Sequence, residues 1–315
     1  MPNANQWLEE NYPQNGFCLY DEYDFEYKNE GKKRNEITQL NISEQCLEGD
    51  LDLADFVNLE ELYCANNQLT SLDLSHCINL RELYSGSNEE LTQLIIPKNN
   101  RLEIINARYN SLTTFEYSVL NPNTLKRISF SNNNLEPTDI AVFSHLINLT
   151  KLKIHSRNHF DKKYRSNNYN RFYGSLESLK NLTNLNYLSI GITDINRGLE
   201  YLSEKIRFFP NELFVKTFSI YKNDGLDWFE ISLGEWKNNH SRLFSNAKII
   251  TELEQAQKSL KKAFSLKEKD LWWSRNELTI NTLINPNNGF QLWTNEKINE
   301  LKKENEEYYK NIEVK

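Results

Sequence analysis

Apolar residues recur along residues 37–154 in a pattern that combines alternation over a few positions with a longer period. From Leu59 to Leu69 the chain has the pattern L-x-x-L-x-C-x-x-N-x-L. Similar stretches begin at Leu80, Leu102, Leu125 and Leu149, at intervals of 21 to 24 residues. Alternation of apolar and polar side chains predicts a short β-strand with one buried face. Each stretch is therefore predicted to be a strand that ends in a turn at the asparagine.

Repetition at this period is the signature of a leucine-rich repeat, whose units are about 20 to 29 residues long. We predict an α/β fold, a leucine-rich-repeat solenoid in the form of a horseshoe with a parallel β-sheet on its concave face. The return segments on the convex side, such as Leu69–Leu74 and Leu91–Ile96, are predicted to be extended. The turn asparagines should point inward and bond neighbouring turns, because buried polar groups need partners. This predicted structural ladder consists of Asn67, Asn88, Asn110 and Asn133.

The two ends of the chain depart from the repeat. Residues 3–12 predict a short helix with an asparagine cap, which would cover the exposed apolar edge of the first repeat. An acidic, aromatic-rich loop follows, and it is interpreted either as a further cover or as a partner-binding arm. Two apolar series separated by the turn signal of residues 285–289 predict a C-terminal helical hairpin. The tail either packs within the chain or dimerises as a coiled coil, and Gln257, Lys267 and Asn305 interrupt the dimer seam.

These features predict four regions. Residues 1–36 form the N-terminal cap helix and acidic aromatic loop, and residues 37–223 form the solenoid. Residues 224–245 form a C-terminal cap or linker, and residues 246–315 form the helical tail. Within the solenoid, an insertion at 155–174 interleaves basic and aromatic side chains, and the last strand is predicted at Val215–Ile220.

Composition and charge limit the function classes. The net charge of -7 and a pI near 5.5 argue against general attraction to nucleic acid or anionic membranes. Nucleic-acid binding through the basic-aromatic insertion, residues 155–174, stays a weaker alternative. We find no signal peptide and no apolar run long enough to span a membrane, so a cytoplasmic location is expected. The four cysteines show no metal-ligand spacing, and disulfides are not expected.

Enzyme signatures are missing from the sequence. It contains no P-loop, GxGxxG, GxSxG or HExxH motif, and its 10 glycines leave little material for phosphate-binding loops. His155 and His159 follow a predicted strand, so their spacing does not favour a metal pair. We therefore predict no catalytic residues, no metal site, no cofactor and no enzymatic activity.

The outward positions of the predicted concave strands form a graded surface. Side chains alternate across a strand, so residues between the buried leucines line the concave face. This face is acidic and tyrosine-rich near the N-terminus and basic further along. Tyrosine and arginine often carry binding energy at interfaces. The predicted partner-binding residues are Glu61, Tyr63, Glu82, Tyr84, Arg108, Arg127, Lys151, Lys153 and His155. The alternative is that a polar strand face is graded by chance.

Parts of the chain resemble the expanded leucine-rich-repeat proteins of certain fungi. The segments that carry the resemblance are NANQWLEENYP at 3–13, EITQL at 36–40, DFVNLEEL at 55–62, NRFYGSL at 170–176 and TDINRGLEYL at 193–202. The similarity covers residues 3–13 and 35–205. It departs in the loop at 15–33, and the tail is similar only in being helical. The resemblance implies an intracellular repeat protein and supplies no catalytic residues.

The function predicted from the sequence is a scaffold for protein–protein interaction. It would recognise a protein or peptide partner on the concave face by surface complementarity. The alternative is an adapter or regulatory subunit of an enzyme system, such as ubiquitin ligation, which would dock on the helical tail. Self-association through residues 246–315 is a third possibility.

Overall fold

A computed structural model describes residues 1–19, 29–156, 169–195, 197–209, 240–265 and 289–313. These residues divide into two compact units. The first takes residues 1–198 and 202–209 of the described chain, and the second takes residues 199–201 together with the helices after residue 240.

Thirteen short strands are present in the described residues. They are β1 (Gln39–Asn41), β2 (Glu48–Asp52), β3 (Glu61–Tyr63), β4 (Gln68–Asp73), β5 (Glu82–Tyr84), β6 (Gln93–Ile95), β7 (Ile104–Asn106), β8 (Arg127–Ser129), β9 (Thr138–Asp139), β10 (Lys151–Lys153), β11 (Phe172–Tyr173), β12 (Tyr187–Ser189) and β13 (Arg207–Phe209). The helices are α1 (Ala4–Asn11), α2 (Ser241–Ser265) and α3 (Gly289–Glu313).

One parallel sheet contains eight of these strands, in the order β1-β3-β5-β7-β8-β10-β12-β13. Every strand pair is in register through its central residue, as in the pairing of Leu40 with Leu62 and of Leu62 with Leu83. The central side chains point into the solenoid and are at most 1% exposed; they are Leu40, Leu62, Leu83, Ile105, Ile128, Leu152, Leu188 and Phe208. The first unit is thus the predicted leucine-rich-repeat solenoid with a parallel β-sheet.

The opposite side of the solenoid carries the return segments. Strands β2, β4 and β6 form a second parallel sheet, which confirms the extended conformation predicted for residues 69–74. Later repeats keep only the short parallel pair of β9 and β11 and add 3₁₀ turns at Tyr117–Val119, Ile140–Phe143 and Leu176–Leu179. Because a 3₁₀ turn is shorter than a full helical segment, the compact period of the repeats is preserved.

Helix α1 closes the N-terminal edge of the first unit. The side chain of Asn3 accepts a hydrogen bond from the Gln6 N–H, so the predicted asparagine cap is present. The backbone of Asn3 bridges Glu48 of β2, and Leu8 and Tyr12 are buried. Asn3 therefore extends the second sheet by one bridge, and the helix that follows covers the open edge, which is where a terminal repeat needs cover.

Arg34 ties the end of α1 to the first repeat. Its guanidinium donates to the Tyr12 carbonyl at 2.6 Å, to Glu9 Oε2 at 2.7 Å and to Asp55 Oδ2 at 3.2 Å. It also lies 5.7 Å from the centroid of the Phe56 ring. Since the Arg34 side chain is only 11% exposed, these charge-assisted bonds form with little competition from water.

The turns after the main strands are joined by buried asparagine side chains. Asn110 Nδ2 donates to the carbonyls of Ala107 in its own repeat, at 3.0 Å, and Ser85 in the preceding repeat, at 3.1 Å. Its Oδ1 accepts from the Asn88 N–H at 2.8 Å. Asn67, Asn88 and Asn133 make the corresponding bonds in their repeats. Each side chain therefore satisfies backbone groups of two successive turns.

Asn170 extends this ladder beyond the four residues that the sequence pattern indicated. Its Nδ2 donates to the carbonyls of Phe130, at 2.8 Å, and Ile154, at 3.0 Å, and its Oδ1 accepts from the Leu135 N–H at 3.2 Å. Ile154 and Asn170 are 16 residues apart, whereas Phe130 and Asn133 are three apart. The extra residues therefore lie between β10 and its ladder asparagine, and Asn170 and Phe172–Tyr173, which were predicted as part of the insertion, belong to the repeat. The Asn170 N–H donates to Ser156 Oγ at 3.0 Å, which closes the base of the insertion.

A second row of asparagines joins the turns that precede the main strands. In each case the side chain donates to a carbonyl of the preceding repeat. The bonds are Asn58 to Asn35 O, Asn79 to Val57 O, Asn121 to Asn100 O, Asn148 to Pro122 O and Asn184 to Ile147 O. Asparagine side chains thus bond the backbone of neighbouring repeats both before and after the main strands.

In the second unit, α2 and α3 pack antiparallel. Arg242 pairs with Glu304 near the start of α2, and Gln257 bonds Asn295 further along it. Ile250, Ile298 and Leu301 form the buried contact. Asn305, which interrupts the apolar series, accepts a hydrogen bond from Asn246 Nδ2 at 2.9 Å. Of the polar seam residues, Gln257 and Asn305 are therefore bonded between the two helices.

Several predicted segments lie outside the described residues. They are the centre of the acidic loop, most of the insertion, most of the 224–245 region, the connection between α2 and α3 with Lys267, and the predicted last strand Val215–Ile220. The position beside β12 is occupied by β13 at Arg207–Phe209, a strand that the sequence pattern did not indicate, and the strand predicted at Val215–Ile220 stays a prediction. The four-region division of the chain remains a prediction.

We predict that Asn110→Ala and Asn170→Ala each lower the free energy of unfolding by about 1–3 kcal/mol, because the backbone N–H of Asn88 or of Leu135 loses its acceptor and neighbouring carbonyls lose a donor. Asn181→Ala is the matched control, since Asn181 is exposed and should change stability by less than about 0.5 kcal/mol. Urea denaturation followed by circular dichroism measures all three. An Asn170→Ala variant as stable as the Asn181→Ala control would contradict the extension of the ladder.

Candidate partner-binding face

The outward side chains of the eight-stranded sheet form a continuous surface, which we call the sheet face. Its first row contains Gln39, Glu61, Glu82, Ile104, Arg127, Lys151, Tyr187 and Arg207. Its second row contains Asn41, Tyr63, Tyr84, Asn106, Ser129, Lys153 and Ser189. Because each pair of residues is in strand register, neighbours in a row are separated by roughly 4.8 Å, the spacing of strands.

The N-terminal half of the sheet face is acidic and aromatic. The rings of Tyr63 and Tyr84 stack with centroids 4.8 Å apart and planes 5° apart. Each phenol donates to the glutamate two residues earlier in its own strand, Tyr63 to Glu61 at 3.0 Å and Tyr84 to Glu82 at 2.9 Å. Stacking and these bonds hold both rings in one orientation, so a ligand that contacts them has little side-chain entropy to remove.

The surroundings of Tyr84 shift the pKa of its phenol. Partial burial, with the hydrogen bond to Glu82 and the charge of that carboxylate, raises the pKa of the Tyr84 phenol to about 12. Arg127 acts in the opposite direction and lowers it. Tyr84 is therefore close enough to both charge signs of the sheet face to respond to each.

The C-terminal half of the sheet face is basic and is arranged around Tyr187. The ammonium nitrogens of Lys151 and Lys153 each lie 5.1 Å from the centroid of this ring, and the Arg207 guanidinium carbon lies 5.8 Å from it. Cations at these distances are attracted to the negative face of the ring. Burial, then repulsion from Lys151 and Arg108, lowers the pKa of the Lys153 ammonium.

His155 and Arg108 lie beyond the ends of the strands on the same side. His155 Nδ1 is 2.8 Å from Ser189 Oγ and 3.1 Å from Ser131 Oγ, so the ring is oriented by two hydroxyls. Gly86 lies next to Arg108, and a Cβ built at that glycine would come 3.2 Å from Arg108 Cγ. The absence of a side chain at Gly86 thus gives the arginine stem room to lie over the neighbouring repeat.

A second charged row, at the residues before the main strands, is different because it is internally paired. Arg81 bonds Glu103 at 2.7 Å and lies 3.9 Å from Glu60, and Lys126 bonds the same Glu103. The hydrogen bonds from Lys126 and Arg81 lower the pKa of Glu103. By contrast, the described ion pairs include none of Arg108, Arg127, Lys151 and Lys153.

The structure brings all nine sequence-predicted binding residues to one side of the sheet, and their role in binding remains a prediction. Tyr187 and Arg207 join them, although the sequence pattern did not include either among the partner-binding residues. Arg207 was missed because the sequence pattern indicated no strand at Arg207–Phe209. The four ladder asparagines, by contrast, point away from the sheet face and are buried. The lysines and Arg165 of the insertion lie outside the described residues.

Other kinds of site receive no support from the described chain. It contains no group of three or more His, Cys, Asp or Glu residues that could hold a metal ion. Among its helices, none combines the length and apolar character that a bilayer crossing requires. All four cysteines are free, and Cys64 and Cys77 are buried in the core as small apolar side chains.

No protein-family model and no curated protein matches this chain. Solved structures do. A leucine-rich-repeat protein of Leptospira interrogans is 23% identical over 51% of this chain and 42% of its own, with a TM-score of 0.39. The functional domain of InlJ from Listeria monocytogenes is 21% identical over 57% of this chain and 45% of its own, with a TM-score of 0.39.

Internalin C2 of Listeria monocytogenes is 17% identical over 58% of this chain and 84% of its own, with a TM-score of 0.34. The match spans less than half the length of the Leptospira protein and of the InlJ domain. The assignment of the solenoid rests on the strand order and the asparagine ladder of the chain itself.

We predict that Glu82→Gln lowers the pKa of Tyr84 below its value of about 12, because a neutral amide accepts the phenol proton more weakly than a carboxylate. In the wild type this bond stabilises the fold fully below pH 10, the ordinary pKa of the phenol, and the stabilisation is lost as the pH rises through about 12. Tyrosine ¹³Cζ NMR titration measures the pKa. Glu61→Gln is the control, since Glu61 has the smallest effect on Tyr84. Equal Tyr84 pKa values in the wild type and Glu82→Gln would contradict this account.

Proposed function

We propose that this protein is a non-catalytic scaffold that binds a protein or peptide partner on the sheet face. The observation that carries the proposal is the segregation of charge along one sheet. Glu61 and Glu82 lie at one end beside stacked tyrosines, and Arg127, Lys151 and Lys153, which none of the described ion pairs includes, lie at the other. The neighbouring row from Glu60 to Lys126 pairs its charges internally, so a polar surface alone does not require the segregation.

The dimensions of the sheet suit an extended segment that crosses the strands. Eight strands at roughly 4.8 Å spacing extend over about 34 Å. An extended peptide advances about 3.3 Å per residue, so about ten residues would cover the sheet face. The charge order favours a segment that is basic where it crosses β3 and β5 and acidic where it crosses β8, β10 and β12.

The acidic half also favours a protein partner over a nucleic acid. A nucleic-acid backbone that followed the sheet from the lysines would meet Glu82 and Glu61, whose charges repel phosphates. Tyr63 and Tyr84 could stack bases, but their hydroxyls are bonded to those same carboxylates. A peptide can carry both charge signs along its length, whereas a phosphate backbone carries only one.

The helix pair is a second candidate docking surface, for the adapter role suggested by the sequence. Leu292 and Trp293 of α3 are 46% and 54% exposed, and Ile249 of α2 is 38% exposed. Exposed tryptophan is common in interface hot spots. This role and the sheet-face role can be separated in the full-length chain, because the side chains concerned are on different elements.

We also propose that the protein works in a reducing compartment, such as the cytoplasm. Cys64 and Cys77 act as core residues, and burial raises the pKa of each thiol to about 12. A thiol that stays protonated is a poor partner for disulfide exchange, so these residues are suited to packing and not to cross-linking.

We predict that the double variant Tyr84→Ala with Arg127→Ala weakens partner capture at least about tenfold, because it removes one anchor from each half of the sheet face. The matched control is Arg101→Ala with Tyr173→Ala, which removes the same residue types from exposed positions off the main sheet. Full-length proteins are used as bait in lysate of the native cell, and bound proteins are quantified by mass spectrometry.

Partners that are lost with the sheet-face variant but retained by the control support the proposed function. Partners that both variants retain, and that Leu292→Asp with Trp293→Asp loses, would place recognition on the helix pair and contradict the proposal for the sheet face.

A further inference from the structure

The basic half of the sheet face places the cationic side chains of Arg127, Lys151 and Lys153 close together. On β7, β8, β10, β12 and β13 the outward residues of both rows, as far as the structure describes them, include no Asp or Glu. Arg127 and Lys151 are direct neighbours in register, and Lys153 lies two residues from Lys151 on the same face. Like charges at such spacing repel each other, and the strand pairing keeps these side chains close together despite the repulsion.

The ring of Tyr187 brings two of these cations close to each other. The ammonium groups of Lys151 and Lys153 converge on one ring at equal distances of 5.1 Å. Ser129 lies next to Lys153 in strand register and adds a hydroxyl. The arrangement thus presents several N–H and O–H donors to one small area.

We propose that this cluster of Arg127, Ser129, Lys151, Lys153 and Tyr187 is a subsite for a phosphate monoester, and that its ligand is a phosphorylated serine or threonine of the partner segment. The inference rests on the proposed function and names the chemistry that the basic half recognises. We call the cluster the phosphate subsite.

Charge and geometry favour a phosphate over a carboxylate. A phosphoserine carries a charge of about −1.5 to −2 at neutral pH and has three acceptor oxygens, whereas a glutamate carries −1 and has two. Three cations within neighbouring positions of two strands are better matched by the phosphate. Arg127 supplies a planar fork that can bond two phosphate oxygens, and the lysines supply point charges.

The acidity of Lys153 is consistent with this assignment. Burial and the charges of Lys151 and Arg108 lower the pKa of its ammonium, so the free protein holds this charge at a cost. A bound dianion would relieve the repulsion and raise the pKa again. Part of the binding free energy of the anion therefore comes from reducing the repulsion among Lys153, Lys151 and Arg108 that is present in the free protein.

The test uses N-acetyl-phosphoserine amide as the probe, with the full-length protein at fixed ionic strength. Titration followed by ³¹P NMR is expected to show saturable binding. Lys153→Met and Lys151→Met, which keep most of the side-chain stem, should each weaken binding about tenfold, the effect of losing one charge-assisted contact. Lys126→Met is the matched control, because Lys126 belongs to the internally paired row. Arg127→Gln, at an exposed position, is a further variant of the subsite.

The same titration includes N-acetyl-glutamate amide, followed by ¹H NMR. The proposal expects the glutamate to bind about tenfold or more weakly than the phosphoserine. The phosphate subsite is overturned if the phosphoserine does not saturate, if the glutamate binds equally well, or if Lys126→Met weakens binding as much as Lys153→Met. A ten-nucleotide single strand that binds more tightly than the phosphoserine, with an affinity that collapses between 50 and 200 mM salt, would instead indicate nucleic acid.

The two proposals fail in distinguishable ways. If phosphoserine binding is absent while partner capture still depends on Tyr84 and Arg127, only the phosphate subsite is overturned. If phosphoserine binds as expected but the double variant Tyr84→Ala with Arg127→Ala captures partners as well as the wild type, the proposed function is overturned. The subsite then requires another ligand.

Discussion

The solenoid depends on one interaction, the hydrogen bonds between an inward asparagine and the backbone of two successive turns. Parallel three-residue strands form few hydrogen bonds of their own, and each strand buries a single central side chain. Without Asn110 the Asn88 N–H would lose its acceptor, and the carbonyls of Ser85 and Ala107 would each lose one of two side-chain donors. The ladder therefore turns a series of short strands into a continuous body, and the main sheet keeps its register because adjacent turns are bonded.

Because the inward positions carry the stability, the outward positions are available for recognition. Leu62 and Leu83 fix the strands from inside, whereas Tyr63 and Tyr84 contact one another and their glutamates outside. Strand register sets which charged residues of the sheet face are neighbours. This separation of stability from recognition explains how a chain with a net charge of -7 can present a basic surface at one end of its sheet.

Much of the fold and of the sheet face could be predicted from the sequence. The residues that the sequence pattern missed were missed for physical reasons. The period and the alternation were sufficient for the strands up to Lys153 and for four ladder asparagines, since each repeat confirms the others. Asn170 was missed because the insertion separates it from Ile154. Arg207 was missed because a three-residue strand has one buried side chain, so Phe208 gives a weaker pattern than Val215, Phe218 and Ile220. The convergence of two lysines on Tyr187 depends on rotamers, which spacing does not specify.

The bond between the Asn170 N–H and Ser156 Oγ has a consequence for how such a protein can diversify. It joins the two ends of the insertion where the chain leaves the strand and where it rejoins the ladder. The loop between them can change in length at a small entropic cost, about 0.6 kcal/mol for each doubling. This point of the solenoid therefore tolerates added residues while the repeat framework remains intact.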